Sequence, residues 1–304
     1  MKEKKTARRD LISAIVISKC GTIAQIQTKN QRKGQLHRLT DLHIFFSNSY
    51  YYDINIDWCE NNYDHSHYVA EFFNSLSSFS MILVGLAGMY LHAQFEKRFL
   101  LTFGSIVIVG IGSIAFHGTL LFPLQMLDEV PMLYSILTLF YCCAENKPYR
   151  RYGVWFPVAI TLYGLLTTLV MLFAGPQNHL LEFVVFQSSF AFMVMVVMSH
   201  IIKLYGALQD QAIKRMWVLT AAIGFTSYGY WNIDFRLCDL MQNLPFGLFN
   251  PQFHAWWHVG ASMTSYMVCL LVCYNRAENL DRNPRIEWKA GVLPYVVADR
   301  LKSK

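Results

Sequence analysis

From about residue 70 to residue 275 the chain repeats one feature: an apolar stretch of roughly 20 residues, bounded by short polar connections. Such a stretch, wound as a helix rising about 1.5 Å per residue, crosses a hydrocarbon core about 30 Å thick. Hydrocarbon offers no hydrogen bonds, so a spanning backbone must satisfy its own amides, and a helix does this within one segment. Seven stretches are present, at roughly 70–93, 98–118, 123–145, 152–174, 179–202, 216–236 and 253–275. The expected fold is an all-α membrane protein, a seven-transmembrane helix bundle. Composition agrees, because charged residues make up 15% of the chain where soluble domains carry about a quarter.

The formal charge of +6 is explained by topology and gives no reason to expect a nucleic-acid partner. Basic residues gather in alternate connections: Lys97 and Arg98 after the first stretch, Lys147, Arg150 and Arg151 after the third, Lys203, Lys214 and Arg215 after the fifth. The C-terminal segment adds Arg276, Arg282, Arg285, Lys289, Arg300, Lys302 and Lys304. The other connections hold only Arg236, and no Lys or Arg lies between Arg38 and Lys97. By the positive-inside rule the N-terminus is lumenal or extracellular and the C-terminus cytosolic.

Four regions follow. Residues 1–50 are expected to be a poorly structured extension, with one short apolar run, Leu11 to Ser18, behind Lys4, Lys5, Arg8 and Arg9. That run is too short to span, and no small-residue cleavage site follows it. Residues 51–69 form an acidic lumenal segment, 70–275 the bundle, and 276–304 a basic cytosolic tail.

Ionisable side chains inside spans cost several kcal/mol unless they face a cavity, a metal or one another. Here they concentrate at one depth. Ser113 and His117 stand four residues apart near the outer end of the second stretch, and His254 and His258 repeat that spacing where the seventh begins. Residues four apart share a helix face. Asp128 lies in the first turns of the third stretch. Three convergent imidazoles beside a carboxylate and a hydroxyl suit a catalytic zinc ion (Zn2+) that keeps one position open for water. A lone interfacial histidine is more often a packing residue. His92, His179 and His200, without helical partners, are taken as such, and His65 and His67 as solvated loop residues. The Trp256–Trp257 pair fits an interface belt.

The segment Asp57-Trp58-Cys59-Glu60-Asn61-Asn62-Tyr63, with Glu71 beyond it, gathers oxygen donors on the outer face. Two readings stand: a calcium (Ca2+) site, which needs six to eight hard ligands, or an acidic solvated loop. Cys59 and Cys238 fall on the same face, either as a disulfide or as two thiols that share a side. Cys142, Cys143, Cys269 and Cys273, toward the cytosolic ends, are expected to stay reduced.

The strings DWCENNY (57–63), AEFFN (70–74), GSIAFHGTL (112–120), MLDEVPMLYS (126–135), WNIDFRLC (231–238) and QFHAWWH (252–258) together resemble the alkaline ceramidase family. This family is related to the seven-helix adiponectin and progestin receptors. The resemblance implies a lipid amidase that hydrolyses ceramide, dihydroceramide or phytoceramide within the membrane of the endoplasmic reticulum or Golgi, without an obligate protein partner. It implies His117, His254 and His258 as zinc ligands and Ser113 and Asp128 as catalytic residues. It further implies calcium on Asp57, Trp58 (through its carbonyl), Glu60, Asn62 and Glu71, and a disulfide between Cys59 and Cys238. The alternative is a receptor or lipid sensor that retains the metal, and the completeness of the Ser, Asp and three-His set favours chemistry.

Overall fold

A computed structural model describes residues 58–175, 178–245 and 248–300. The extension expected over 1–50 therefore lies outside the described residues. Seven long helices are present among the described residues: α1 (Phe72–Leu91), α2 (Lys97–Thr119), α3 (Phe122–Ala144), α4 (Trp155–Ala174), α5 (His179–Ala207), α6 (Gln211–Arg236) and α7 (Phe253–Asn279). Six are long and apolar enough to cross a membrane, α6 being the exception. Between its charged ends, Thr220, Thr226, Ser227, Tyr228, Tyr230 and Asn232 dilute its apolar character.

Local chemistry sets the helix ends. Asn178 caps α5 by accepting from the Leu181 amide at 3.0 Å, and Asp210 caps α6 by accepting from Ala212 at 2.7 Å. Such caps satisfy amides that a helix start leaves open. Between α2 and α3 the chain reverses tightly. Leu120 takes a left-handed conformation, φ 55°, and its amide donates to the Phe116 carbonyl. Leu121 and Phe122 follow at once into α3, with Pro123 in its first turn, where no amide hydrogen is needed.

Packing is inverted relative to a soluble protein. Leu76, Phe79, Leu83 and Leu86 of α1 are exposed, as are Leu162, Leu165, Leu166 and Leu169 of α4. In water such faces would be an aggregation hazard; against lipid tails they are at home. The centre belongs to α7, on which every residue from Tyr266 to Cys273 is buried, the mark of a helix enclosed on all sides. It packs on α1, α2, α3 and α6, while α5 packs on α3 and α4. Packing between α5 and α6 is sparse, Phe183 stacking on Phe235 with ring centroids 5.7 Å apart.

Beyond α7, the expected basic tail contains a β-hairpin, β1 (Arg285–Lys289) antiparallel to β2 (Leu293–Val297). It docks by specific bonds: Tyr266 Oη donates to the Pro294 carbonyl (2.6 Å), Gln94 Nε2 to the Val296 carbonyl (3.0 Å), and the Val296 amide to His92 Nε2 (3.2 Å). His92, expected to be an ordinary interface residue, is fully buried and holds the hairpin to the end of α1.

One contact governs the positions of α2 and α3. Pro131 lies inside α3, so the Leu127 carbonyl four residues earlier has no helical amide to accept from. Gly112 of α2 presses against that carbonyl, and a Cβ there would overlap Leu127 O and crowd the Asp128 amide. Small residues permit such backbone approach in membranes. Ser113 and Asp128 are thereby set side by side. Gly112→Ala is expected to destabilise the purified protein by about 1–3 kcal/mol through overpacking. Gly104→Ala, whose added methyl meets only the Met89 side chain at ordinary contact distance, should be neutral or mildly stabilising. Equal melting temperatures for the two variants would refute this account of the α2–α3 crossing.

Candidate metal centre

His117 sits in the last turn of α2, His254 and His258 in the first turns of α7, and Asp128 in the second turn of α3. α2 runs toward the end of the bundle from which α3 and α7 depart, so the four converge there. The three imidazoles are buried, and one ring nitrogen from each lies within 4.8 Å of the others. Ring centroids are 5.1 Å apart for His117 and His254, 4.9 Å for His117 and His258, and 4.6 Å for His254 and His258.

Each ring is held from behind. His117 Nδ1 lies 2.5 Å from Glu71 Oε2, and Glu71 is itself held by Asn74 Nδ2 at 3.1 Å. His258 Nδ1 faces the Asn74 carbonyl at 3.1 Å and Ser77 Oγ at 2.9 Å. A donor role for both Nδ1 atoms leaves Nε2 as the lone-pair nitrogen, the tautomer a metal requires. His254 is gripped by an aromatic wall, with Trp58 stacked on it at 3.7 Å and Trp257 tilted at 4.9 Å.

The donor set fits a metal ion. His258 Nε2 and His254 Nδ1 are buried and have no hydrogen-bond partner among the described residues. A buried polar atom without a partner costs about 1–3 kcal/mol. Three neutral donors at this separation suit a tetrahedral cation with one open position.

The Ser113 hydroxyl faces the Asp128 carboxyl. Asp128 Oδ1 remains without a partner among the described residues. Ser78 Oγ lies 2.9 Å from Ser113 Oγ and 2.8 Å from the Asn74 carbonyl, linking this pair to the turn of α1 that holds His258.

The residues assigned to calcium meet the same centre unevenly. Asp57 lies outside the described residues, and Asn62 lies in a turn. Glu60 caps α1, its Oε1 accepting from the Phe73 amide at 2.7 Å and its Oε2 from Asn74 at 2.9 Å. Burial pushes the Glu60 carboxyl up; the two amides counter this and nearby Glu71 adds to it, leaving a net rise. Glu71 touches His117 directly, a role the acidic-loop pattern did not suggest.

Of the two readings for the outer cysteines, the disulfide is the one present: Cys59 and Cys238 are bonded, with Cα atoms 5.1 Å apart. The four other described cysteines are free and buried. Two groups escaped the sequence reading. Asp234, in the last turns of α6, accepts from the Cys59 amide (3.0 Å) and the His254 amide (3.1 Å), tying the segment before α1 to the start of α7. Glu182 of α5, fully buried, shares the Gln125 side-chain amide with Glu129 at 3.3 and 3.0 Å. Carboxylates inside spans were the available signal.

The ceramidase family model matches residues 51–297. The alkaline ceramidase of Arabidopsis thaliana is 33% identical, covering 82% of this chain and 94% of that protein. Alkaline ceramidase 3 of Mus musculus is 30% identical, covering 80% and 91%. Alkaline ceramidase YPC1 of Saccharomyces cerevisiae is 29% identical, covering 80% and 83%.

Asp234 and the disulfide strap the same segment to the bundle. Asp234→Ala removes the acceptor for two amides and is expected to cost about 2–4 kcal/mol. Cys59→Ser opens a link between positions 179 apart, which chain entropy values at up to about 5 kcal/mol. Because loss of either strap already frees the same segment, the double variant should destabilise by less than the sum. Thermal unfolding of the purified proteins measures all three, and strict additivity would contradict the shared role.

Proposed function

We propose a function from one settled premise, that the chain belongs to the ceramidase family: it is a zinc-dependent membrane hydrolase that cuts the amide bond of ceramides. Ceramide, dihydroceramide or phytoceramide is the substrate, and a free fatty acid and a sphingoid base are the products. The observation that carries the reading is the convergence of His117, His254 and His258 within 4.8 Å, beside Ser113 and Asp128. In this reading all seven long helices span the membrane of the endoplasmic reticulum or Golgi, N-terminus lumenal and C-terminus cytosolic, with the histidines toward the lumenal leaflet.

His117 and His258 would present Nε2 to the metal and His254 the third nitrogen. When bound, zinc supplies an acidified water and a Lewis acid for the acyl carbonyl. Asp128, with Oδ1 uncommitted, accepts the proton of the attacking water and returns it to the amide nitrogen as the sphingoid amine leaves, a base that becomes an acid. Ser113 holds the other oxygen of Asp128 in register. Once Asp128 carries the proton, the Ser113 hydroxyl is released to donate to the oxyanion of the tetrahedral intermediate. The loose flank between α5 and α6 supports entry of the lipid sideways, so that its chains stay in an apolar medium.

His117→Ala, His254→Ala and His258→Ala are each expected to lose bound zinc and hydrolysis together. Asp128→Asn should keep zinc and lose about 10²–10⁴-fold in turnover, since an amide cannot shuttle the proton. Metal analysis and product mass spectrometry on the same preparations read both properties. Stoichiometric zinc in any His variant, or near-normal turnover in Asp128→Asn, would overturn the assignment.

Calcium on Asp57, the Trp58 carbonyl, Glu60, Asn62 and Glu71 would brace the start of α1. Glu71 also touches His117, so its removal disturbs both centres, and Asp57→Ala is the cleaner probe. With zinc held fixed, calcium is expected to raise the melting temperature and activity of the parent protein, by binding the folded form preferentially. Asp57→Ala should retain zinc and lose that response. The calcium benefit should grow from acidic to alkaline pH as the carboxylates ionise; a flat calcium titration at alkaline pH would return the segment to a solvated acidic loop.

A further inference from the structure

At the end of the bundle opposite the histidines, the connection from α3 to α4 folds beside the start of α2 and the end of α7. It borders an open pocket of about 200 Å³. Four cations line it, Arg98, Lys147, Arg150 and Arg276, against two carboxylates, Glu96 and Glu145.

Both carboxylates are already engaged. Glu145 accepts from the backbone amides of Arg151 at 2.8 Å and Tyr152 at 2.9 Å, which shapes the connection. Glu96 takes Arg276 Nε at 2.7 Å and Arg98 Nη2 at 3.4 Å. Burial alone would raise the Glu96 carboxyl, but the hydrogen bond and charge of Arg276, with Arg98, outweigh it and hold it below its usual range. Glu96 is therefore ionised.

Besides sharing Glu96, each guanidinium is held by a neutral carbonyl. Arg98 Nη1 donates to the Glu145 carbonyl at 2.7 Å and Arg276 Nη1 to the Lys147 carbonyl at 2.5 Å. Carbonyls orient a cation without cancelling its charge. Lys147 spends one donor on Asn279 Oδ1, and Arg150 is exposed with no hydrogen bond or ion pair among the described residues. Four cations less two carboxylates leave an excess of two positive charges around the pocket.

The height of the pocket along the bundle identifies the ligand's medium. Tyr149 and Trp155, in and just after the same connection, are 67% and 78% exposed, as aromatic residues at a membrane–water boundary are. This end also carries the basic connections, which the positive-inside rule assigns to the cytosolic leaflet, where anionic lipids reside. We propose that the pocket formed by Arg98, Lys147, Arg150 and Arg276 binds the phosphomonoester of a phosphoinositide headgroup in the cytosolic leaflet. Arg98 and Arg276 supply pre-oriented donors of the kind that fork onto phosphate oxygens. Lys147 and Arg150 close over it from the exposed side. The bound headgroup ties the far ends of α2, α3 and α7, the three helices whose other ends hold His117, Asp128, His254 and His258.

The full chain, reconstituted in phosphatidylcholine nanodiscs, is compared with discs that add a few mole per cent of phosphatidylinositol 4-phosphate, with discs matched in charge by phosphatidylserine, and with phosphatidylcholine discs in millimolar inorganic phosphate. Melting temperature and the lipid retained in native mass spectra are the readouts. The phosphoinositide is expected to raise the melting temperature and to be retained about tenfold or more over phosphatidylcholine, with a clearly smaller effect from phosphatidylserine and from free phosphate. Lys147→Ala with Arg150→Ala, both exposed and outside the Glu96 network, should lower that retention about tenfold or more. Lys203→Ala, a basic residue that does not line the pocket, should leave it unchanged. Should the double variant fold poorly, Arg150→Gln alone makes the same test. Equal retention in the pocket variants, equal loss in Lys203→Ala, an equal effect of phosphatidylserine, or reproduction of the shift by free phosphate would each overturn the proposal.

Discussion

A buried imidazole nitrogen facing two others, in a space closed by hydrocarbon and aromatic rings, must find a partner. Much of this end of the structure follows from meeting that demand at His254 and His258, whose Nδ1 and Nε2 have none among the described residues. Glu71 and the Asn74 carbonyl turn His117 and His258 inward. Asp234 holds the His254 amide, and the disulfide fastens the segment carrying Trp58 against the His254 ring. None of these contacts is local in sequence. The centre therefore exists only once the bundle has closed.

The same end shows how membrane packing sets chemistry. Pro131 frees the Leu127 carbonyl, and the bare Cα of Gly112 is what can approach it. That approach brings Ser113 beside Asp128. A backbone feature with no chemistry of its own thus fixes the distance between two side chains that have it. Glu71 plays a comparable part in charge: placed between Glu60 and His117, it links the proposed calcium ligands to the proposed zinc ligands through one carboxylate.

The helices were largely legible in the sequence. Stretches expected at roughly 98–118 and 123–145 correspond to α2 over Lys97–Thr119 and α3 over Phe122–Ala144. Apolar runs of that length admit few alternatives. The i, i+4 pairs Ser113/His117 and His254/His258 were equally visible, because helical periodicity is local. Three features were not. Asp234 and Glu182 owe their roles to neighbours distant in sequence, and no spacing rule announces them. The hairpin at Arg285–Val297 lay inside a segment read only as a basic cytosolic tail; its order comes from His92, Gln94 and Tyr266, which lie outside it. The polar residues within α6 were legible, and they leave that helix short of the apolar character of the other six.

The central claim is that His117, His254 and His258 hold one zinc ion and leave a position open for water. X-ray absorption at the zinc edge, on the purified full-length protein, examines that coordination shell directly. The account predicts one zinc per chain with three imidazole nitrogens and one light oxygen donor, all at about 2.0–2.1 Å. A shell containing sulfur at about 2.3 Å, or a protein purified in active form without zinc, would contradict it.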